Sequence, residues 1–315
     1  MSWALEPLVE FELSSDQELL LTSVETLLER FRSPPPGVHG YVEYSAQLQA
    51  ELNESGFLEV ADQDEYGLLE AALLVEEIAS CPVSVEAATS ALVSPLIERF
   101  APPIAVAWAL DKPSRYLNHA KLVCLIHDNG VLVGTPARGD IEAIDSVVAY
   151  PLAKLKRVPR DALRFTGNVA ASIRRRVLIG IAAEAAGLMR GALQQTVQYV
   201  KERKQFGQPL GQFQAIQHRL AEDAQLVHAC RTLALRAAYQ DDEQHAAVAC
   251  LYAQDAIRKI VYDCHQFSGA MGLTLEYPLH LWTYRLKFLQ GEAGGKAEQA
   301  QRVARSVWHS TQSHA

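Results

Sequence analysis

Apolar residues recur at helical spacing through the first hundred positions. Ser14, Ser15 and Asp16 are N-cap candidates before Leu19, Leu20, Leu21, Val24, Leu27 and Leu28. The run Ser33-Pro34-Pro35-Pro36-Gly37 must interrupt this helix, because consecutive prolines cannot propagate one. The spacing predicts a second helix through Ala46, Leu48 and Leu52 and a third from Leu68 to Ile78. A fourth is predicted after Pro82, carrying Ala87 to Phe100. The period then changes. Lys121 opens onto an apolar run, residues 122–126, followed by His127-Asp128-Asn129-Gly130 and Val131-Leu132-Val133, and Asn-Gly between such runs signals a hairpin. Further short strands are expected at residues 146–148 and 162–165. From Ser172 onward Leu178, Ile181, Ala182, Ala185, Met189, Leu193, Val197 and Val200 restore helical spacing. Two more amphipathic stretches follow, Gln212 to Tyr239 and Glu243 to Phe267.

The order is therefore helices, a short β-rich region, then a bundle of long antiparallel helices. A mostly α chain is expected, with an N-terminal helical domain (1–100), a shortened middle β domain (101–170) and a C-terminal four-helix bundle (171–315).

Composition narrows the picture. The chain has 315 residues, 49% of them hydrophobic, enough for a sizeable core. A net charge of -8 argues against a nucleic-acid surface. No signal-like apolar run follows Met1, and no stretch of about 18 apolar residues is expected to span a membrane. Cys81, Cys124, Cys230, Cys250 and Cys264 are odd in number and lack metal or redox spacing. They read as buried free thiols, and a cytoplasmic location is expected. His218, His228, His245 and His265 read as helix-face residues, and no metal site is expected. Arg174-Arg175-Arg176 reads as a solvated or interface face.

The residues with chemistry lie in the C-terminal part. Residues 199–221 read Tyr-Val-Lys-Glu-Arg-Lys-Gln-Phe-Gly-Gln-Pro-Leu-Gly-Gln-Phe-Gln-Ala-Ile-Gln-His-Arg-Leu-Ala. One helix is expected to end by Gly207 and Pro209, and another to begin near Gln212. Arg203 can fork to a phosphate, Phe206 can stack on a ring, and Gln205 and Gln214 can hydrogen-bond polar edges. An ordinary capped helix–turn–helix reads the same way.

The string Arg203-x-Gln205-Phe206-Gly207-x-Pro209 with Phe213-Gln214-x-x-Gln217 closely resembles the signature of acyl-CoA dehydrogenases. The resemblance implies that Arg203, Gln205, Phe206 and Gln214 contact FAD bound mainly by a neighbouring subunit. Residues 265–272, His-Gln-Phe-Ser-Gly-Ala-Met-Gly, resemble the family's glycine turn along the FAD pyrophosphate, with Ala270 replacing its second glycine. Gln266, Gly269 and Gly272 inherit that role by the same resemblance. Glu276-Tyr277-Pro278-Leu279, Arg285 and Lys287 continue it, as do Leu52, Gly56-Phe57, Tyr66-Gly67 and residues 76–79 in the N-terminal region.

Two departures stand out. The middle region is short and lacks the family's Thr-Glu-Pro, Gly-Ser-Asp and Trp-Ile-Thr stretches, which cover the flavin. The string matching the family's catalytic Glu-Gly-Thr is Gly291-Glu292-Ala293-Gly294-Gly295, with Ala293 at the base position and Glu292 one residue off. One helical step rotates a side chain by about 100°, so Glu292 is no simple replacement. Some family members carry the base on a preceding bundle helix, and Asp255 matches that position. Asp255 is thus a candidate base, or else a structural partner of Arg258 at i+3. Shortened chains of this kind resemble one subunit of the α2β2 acyl-CoA dehydrogenases of bacterial steroid side-chain catabolism. That resemblance implies FAD shared with an unlike subunit, an acyl-CoA thioester substrate and an electron-transfer acceptor. A self-sufficient homo-oligomer using Asp255 and a non-catalytic scaffold are the alternatives.

Overall fold

The computed structural model describes residues 12–34, 44–63, 65–98, 101–127 and 129–312. Helix α1 (Ser15–Leu28) opens on a reciprocal cap. Ser14 Oγ accepts from the Gln17 N–H at 3.2 Å, and the Gln17 side chain accepts from the Ser14 N–H at 3.0 Å. It tightens into a 3-10 turn at Glu29–Phe31 before the proline run, of which residues 35–37 lie outside the described residues. Helices α2 (Ala46–Glu54) and α3 (Leu68–Ala79) form where the spacing predicts them. Helix α4 is shorter than expected, Ala88–Val93. Pro95 lacks an N–H to continue it and instead opens a 3-10 turn, Ser94–Leu96; residues 99 and 100 lie outside the described residues.

The middle region holds β1 (Ile104–Ala107), β2 (Pro113–Arg115), β3 (Leu122–His127), β4 (Gly130–Gly134), β5 (Ile141–Ile144), β6 (Leu152–Leu155) and β7 (Leu163–Phe165). They make a sheet in the order β1-β3-β4-β7 and another in the order β2-β6-β5. The expected hairpin pairs β3 with β4, His127 opposite Gly130. Gly130 is needed there: at a φ of +146°, an added Cβ would sit 2.3 Å from the Phe165 carbonyl oxygen. The strand expected at residues 146–148 is instead a bend. Ser146 Oγ takes the Val148 N–H at 3.3 Å, a local bond that competes with sheet pairing.

The C-terminal region is built on α5 (Gly167–Glu202), which starts five residues before Ser172. By length and composition α5 could cross a membrane, but 89% of its apolar window is buried inside the fold, so it is the core helix. Close helix approach explains two of its glycines. A Cβ on Gly187 would lie 2.1 Å from the Glu76 carbonyl oxygen, and one on Gly191 would lie 2.3 Å from the Trp282 indole nitrogen. A two-stranded hairpin of β8 (Lys204–Gln205) and β9 (Gln208–Pro209) follows. Then come α6 (Gln214–Gln240), α7 (Glu243–Ser268), α8 (His280–Leu289) and α9 (Gly295–Gln312). Helices α5, α6 and α7 pack on one another in alternating directions. The C-terminal ends of α5 and α7 and the start of α6 therefore share one end of the bundle.

The arginine run is spent on tertiary ties rather than on a solvated face. Arg174 donates to the Gly130 carbonyl at 3.0 Å, and Arg175 and Arg176 meet Asp241 at 2.6 and 3.1 Å. All five cysteines are buried and free, and burial pushes the Cys124 thiol up to about 12.

Candidate functional site

The junction expected to end at Gly207 ends earlier, at Glu202, because the chain turns back as the β8–β9 hairpin. Phe206 and Gly207 have φ of +53° and +83°, the pair of positive values a type I′ turn requires. Glycine adopts this freely, whereas a phenylalanine held there costs about 1–2 kcal/mol. Its ring gains little burial in return. Phe206 is 89% exposed and meets Phe213 edge-on, with centroids 6.1 Å apart. Arg203 caps α5 with its side chain in solvent, and its carbonyl accepts from Leu210 at 2.8 Å. The Gln205 amide donates to the Lys204 carbonyl at 2.8 Å, and Gln214 is exposed at the start of α6.

The second segment closes α7. Gly269 has a φ of +57° and ψ of -143°, a region open essentially to glycine alone, and a Cβ there would meet nothing within 4 Å. Its backbone therefore faces open space. Gly272 differs: it is buried, and a Cβ would lie 2.8 Å from that of Ser268, so it serves packing. Gln266 and Gly269 line an open groove of about 920 Å³ together with Asp255, Arg258, Tyr262 and Lys287. His265 lies on its wall, with Nε2 3.0 Å from Thr283 Oγ1. Tyr277 ties this turn to the end of α5, its ring tilted against that of Tyr199 with centroids 5.3 Å apart and its hydroxyl donating to the Gln195 carbonyl at 3.0 Å. A diphosphate needs unobstructed backbone, amide donors and nearby cations. The open Gly269 turn, Gln266, Arg258 and Lys287 fit one.

The third region is a buried seam between the β domain and the bundle. Glu292 is drawn inward, where Arg115 Nε lies 3.2 and 3.1 Å from its two oxygens and Trp108 Nε1 donates at 3.4 Å. Arg115 Nη1 reaches Glu184 at 2.5 Å, and Tyr150 donates to that carboxylate at 2.7 Å. Arg115, Glu184 and Glu292 are all buried. Gln254 holds the backbone here by donating to the carbonyls of Leu289 and Glu292, each at 2.9 Å. Burial pushes the Glu292 carboxyl above its usual range, partly offset by Arg115, while Glu184 adds to the rise. Glu292 is thus spent on Arg115. Arg115 and Glu184 were missed from sequence. One signal existed, a glutamate inside the apolar run 182–186 of a core helix.

Asp255 is elsewhere. It is 66% exposed on α7 and pairs with Lys296 of α9 at 2.7 Å rather than with Arg258. It shares the groove with Gln266 and Gly269 but lacks the enclosure that a carboxylate base for α-proton removal needs. Among the described residues no cluster of three metal-ligating side chains occurs.

A helical N-terminal domain, a small two-sheet domain and a long-helix bundle in this order constitute the acyl-CoA dehydrogenase fold. Residues 176–308 match the family described as acyl-CoA dehydrogenase, C-terminal domain. A curated relative, acyl-CoA dehydrogenase FadE34 of Mycobacterium tuberculosis, is 36% identical over 164 residues, which cover 49% of this chain and 23% of the relative. The chain thus spans less than a quarter of that relative's length. Among solved structures, a chain of the ChsE4-ChsE5 complex from Mycobacterium tuberculosis superposes with a TM-score of 0.79 at 18% identity, covering 95% of this chain and 98% of that one. A chain of the Tcur3481-Tcur3483 steroid ACAD superposes with a TM-score of 0.77 at 20% identity, covering 94% and 99%. The sequence matches support the acyl-CoA dehydrogenase family, and the superpositions show the fold.

Proposed function

We propose that this chain is a subunit of an FAD-dependent acyl-CoA dehydrogenase and shares its flavin site with an unlike partner subunit. The observation that carries this reading is the outward presentation of both signature segments at one bundle end, with Phe206 and the Gly269 turn facing solvent. Bound FAD would supply the hydride acceptor for α,β-dehydrogenation of an acyl-CoA thioester. This chain's part is binding and orientation. Arg203 forks to phosphate, Phe206 stacks, Gln205 and Gln214 hydrogen-bond polar edges, and Gln266 with the Gly269 backbone lies along the diphosphate. Glu292 is withdrawn into the seam, and Asp255 sits in solvent. The base is therefore assigned to the partner, and electrons pass to a separate acceptor protein. The likeness to a steroid ACAD supports a ring-bearing acyl-CoA as substrate. Five buried free thiols support a cytoplasmic location.

The test is the visible spectrum of the purified chain, alone and with a co-expressed partner dehydrogenase subunit from its chromosomal neighbourhood. A colourless lone chain and one FAD per pair are expected. Stoichiometric flavin on the lone chain would overturn the shared site. It would favour the self-sufficient reading, which the groove common to Asp255, Gln266 and Gly269 keeps specific; Asp255→Ala should then abolish turnover.

A further inference from the structure

The groove beside Gly269 contains a side chain that the signature motifs do not mention. Arg258, Tyr262 and Gln266 are spaced i, i+4 and i+8 on α7, so they form one stripe along its surface. Tyr262 lies about 10 Å down the helix from Gly269. Its ring is 60% exposed and lines the groove. An exposed tyrosine alone is ordinary, but this one is braced. Arg219 of α6 places its guanidinium 5.9 Å from the Tyr262 ring centroid and 5.0 Å from that of Phe267. Arg219 is held by an ion pair to Asp263, which is fully buried. Lys259 locks the same carboxylate at 2.8 Å and Asp223 of α6 at 2.6 Å. The cation thus fixes the ring while most of its surface stays open. Beside it, Arg258 has no ion pair among the described residues.

Resting on the shared-flavin reading, we propose that Tyr262, positioned by Arg219, is the stacking surface for the adenine of the dinucleotide, whose diphosphate lies at the Gln266–Gly269 turn. A planar base beside a diphosphate suits this arrangement: an aromatic platform, an unpaired guanidinium and a glycine turn follow one another along a single helix. Arg219 is a positioning residue and Tyr262 a binding one.

The experiment titrates FAD into the apo complex of this chain with its partner subunit and reads flavin fluorescence. Tyr262→Ala should weaken FAD binding about tenfold, as loss of one base-stacking ring does. Tyr262→Phe should restore it, and Arg219→Gln should weaken it less. FMN, which lacks adenine, should bind wild type and Tyr262→Ala alike. Thermal melting should be unchanged in Tyr262→Ala, because the ring is largely exposed. Equal FAD affinity of Tyr262→Ala and wild type overturns the stacking role and leaves the shared site standing. A wild-type complex that takes up no FAD overturns both.

Discussion

The seam and the bundle end are built from the same kinds of residue with opposite outcomes. In the seam, Arg115 is buried between Glu184 and Glu292, to which Tyr150 and Trp108 donate respectively. At the bundle end, Arg203, Gln214 and Gln266 are left in solvent, as is the Phe206 ring, which sits on a hairpin turn strained to hold it outward. Charges that satisfy one another inside the fold bind its domains together. Charges and rings kept outward at a cost are available to a partner or ligand. The motif that resembles a catalytic string belongs to the first kind, and the motifs that resemble cofactor contacts belong to the second.

The largest effect should come from opening the seam. Arg115→Ala leaves two buried carboxylates without their cation, and stability should fall by about 3–5 kcal/mol. A loss below about 1 kcal/mol in urea denaturation would mean that the bridge does not hold the domains. Next is Phe206→Gly. The turn already has glycine geometry, so stability should hold or rise by up to about 1 kcal/mol, while FAD uptake by the complex falls. Parallel loss of stability and uptake would make Phe206 a structural residue.

A smaller effect concerns pH. Burial raises the Glu292 carboxyl in the fold, so its contribution is fully present below the unfolded value of about 4.3 and is lost as pH rises through the folded value. Glu292→Gln should therefore flatten the decline of stability that runs from the unfolded value up through the raised folded value. An unchanged slope would place the carboxylate outside the titrating set. Glu77 works in the other direction. Burial raises its carboxyl, but Arg190 and Arg32 outweigh this and hold it below the usual range, so its contribution is lost as pH falls through that lowered value. The smallest effect should be Asp255→Asn. Its pair with Lys296 is exposed, so stability should move by less than about 0.5 kcal/mol, and turnover of the complex should persist. Abolished turnover with intact FAD would return Asp255 to the role of base.

Much of the fold was legible along the chain, because helices α1, α2, α3, α5, α6 and α7 carry apolar residues at helical spacing, and α1, α2 and α7 open on the side-chain caps Ser14, Ser45 and Asp242. Strands β1, β2, β5 and β6 are three or four residues long, too short for alternation to register, and they exist through pairing with distant strands. The expected strand at residues 146–148 failed for the same reason: it finds no partner, and Ser146 offers its backbone a local one. Of the candidate site, Arg203, Gln205, Phe206, Gln214, Gln266 and Gly269 were readable as contiguous motifs. Gly272 looked alike in sequence, yet it is buried, and a Cβ there would lie 2.8 Å from that of Ser268.

Local pattern by itself determined the order of helices and sheet and the two glycine turns, and the resemblance added that Ala293 stands where a Glu-Gly-Thr string has its glutamate. Only the tertiary structure decided which charges were spent. Arg115, Glu184 and Glu292 are brought together from three distant segments, and Tyr262 is braced by Arg219 from another helix. The worth of a charge depends on what desolvates it and what faces it, and both are set by packing across the chain rather than by neighbours along it.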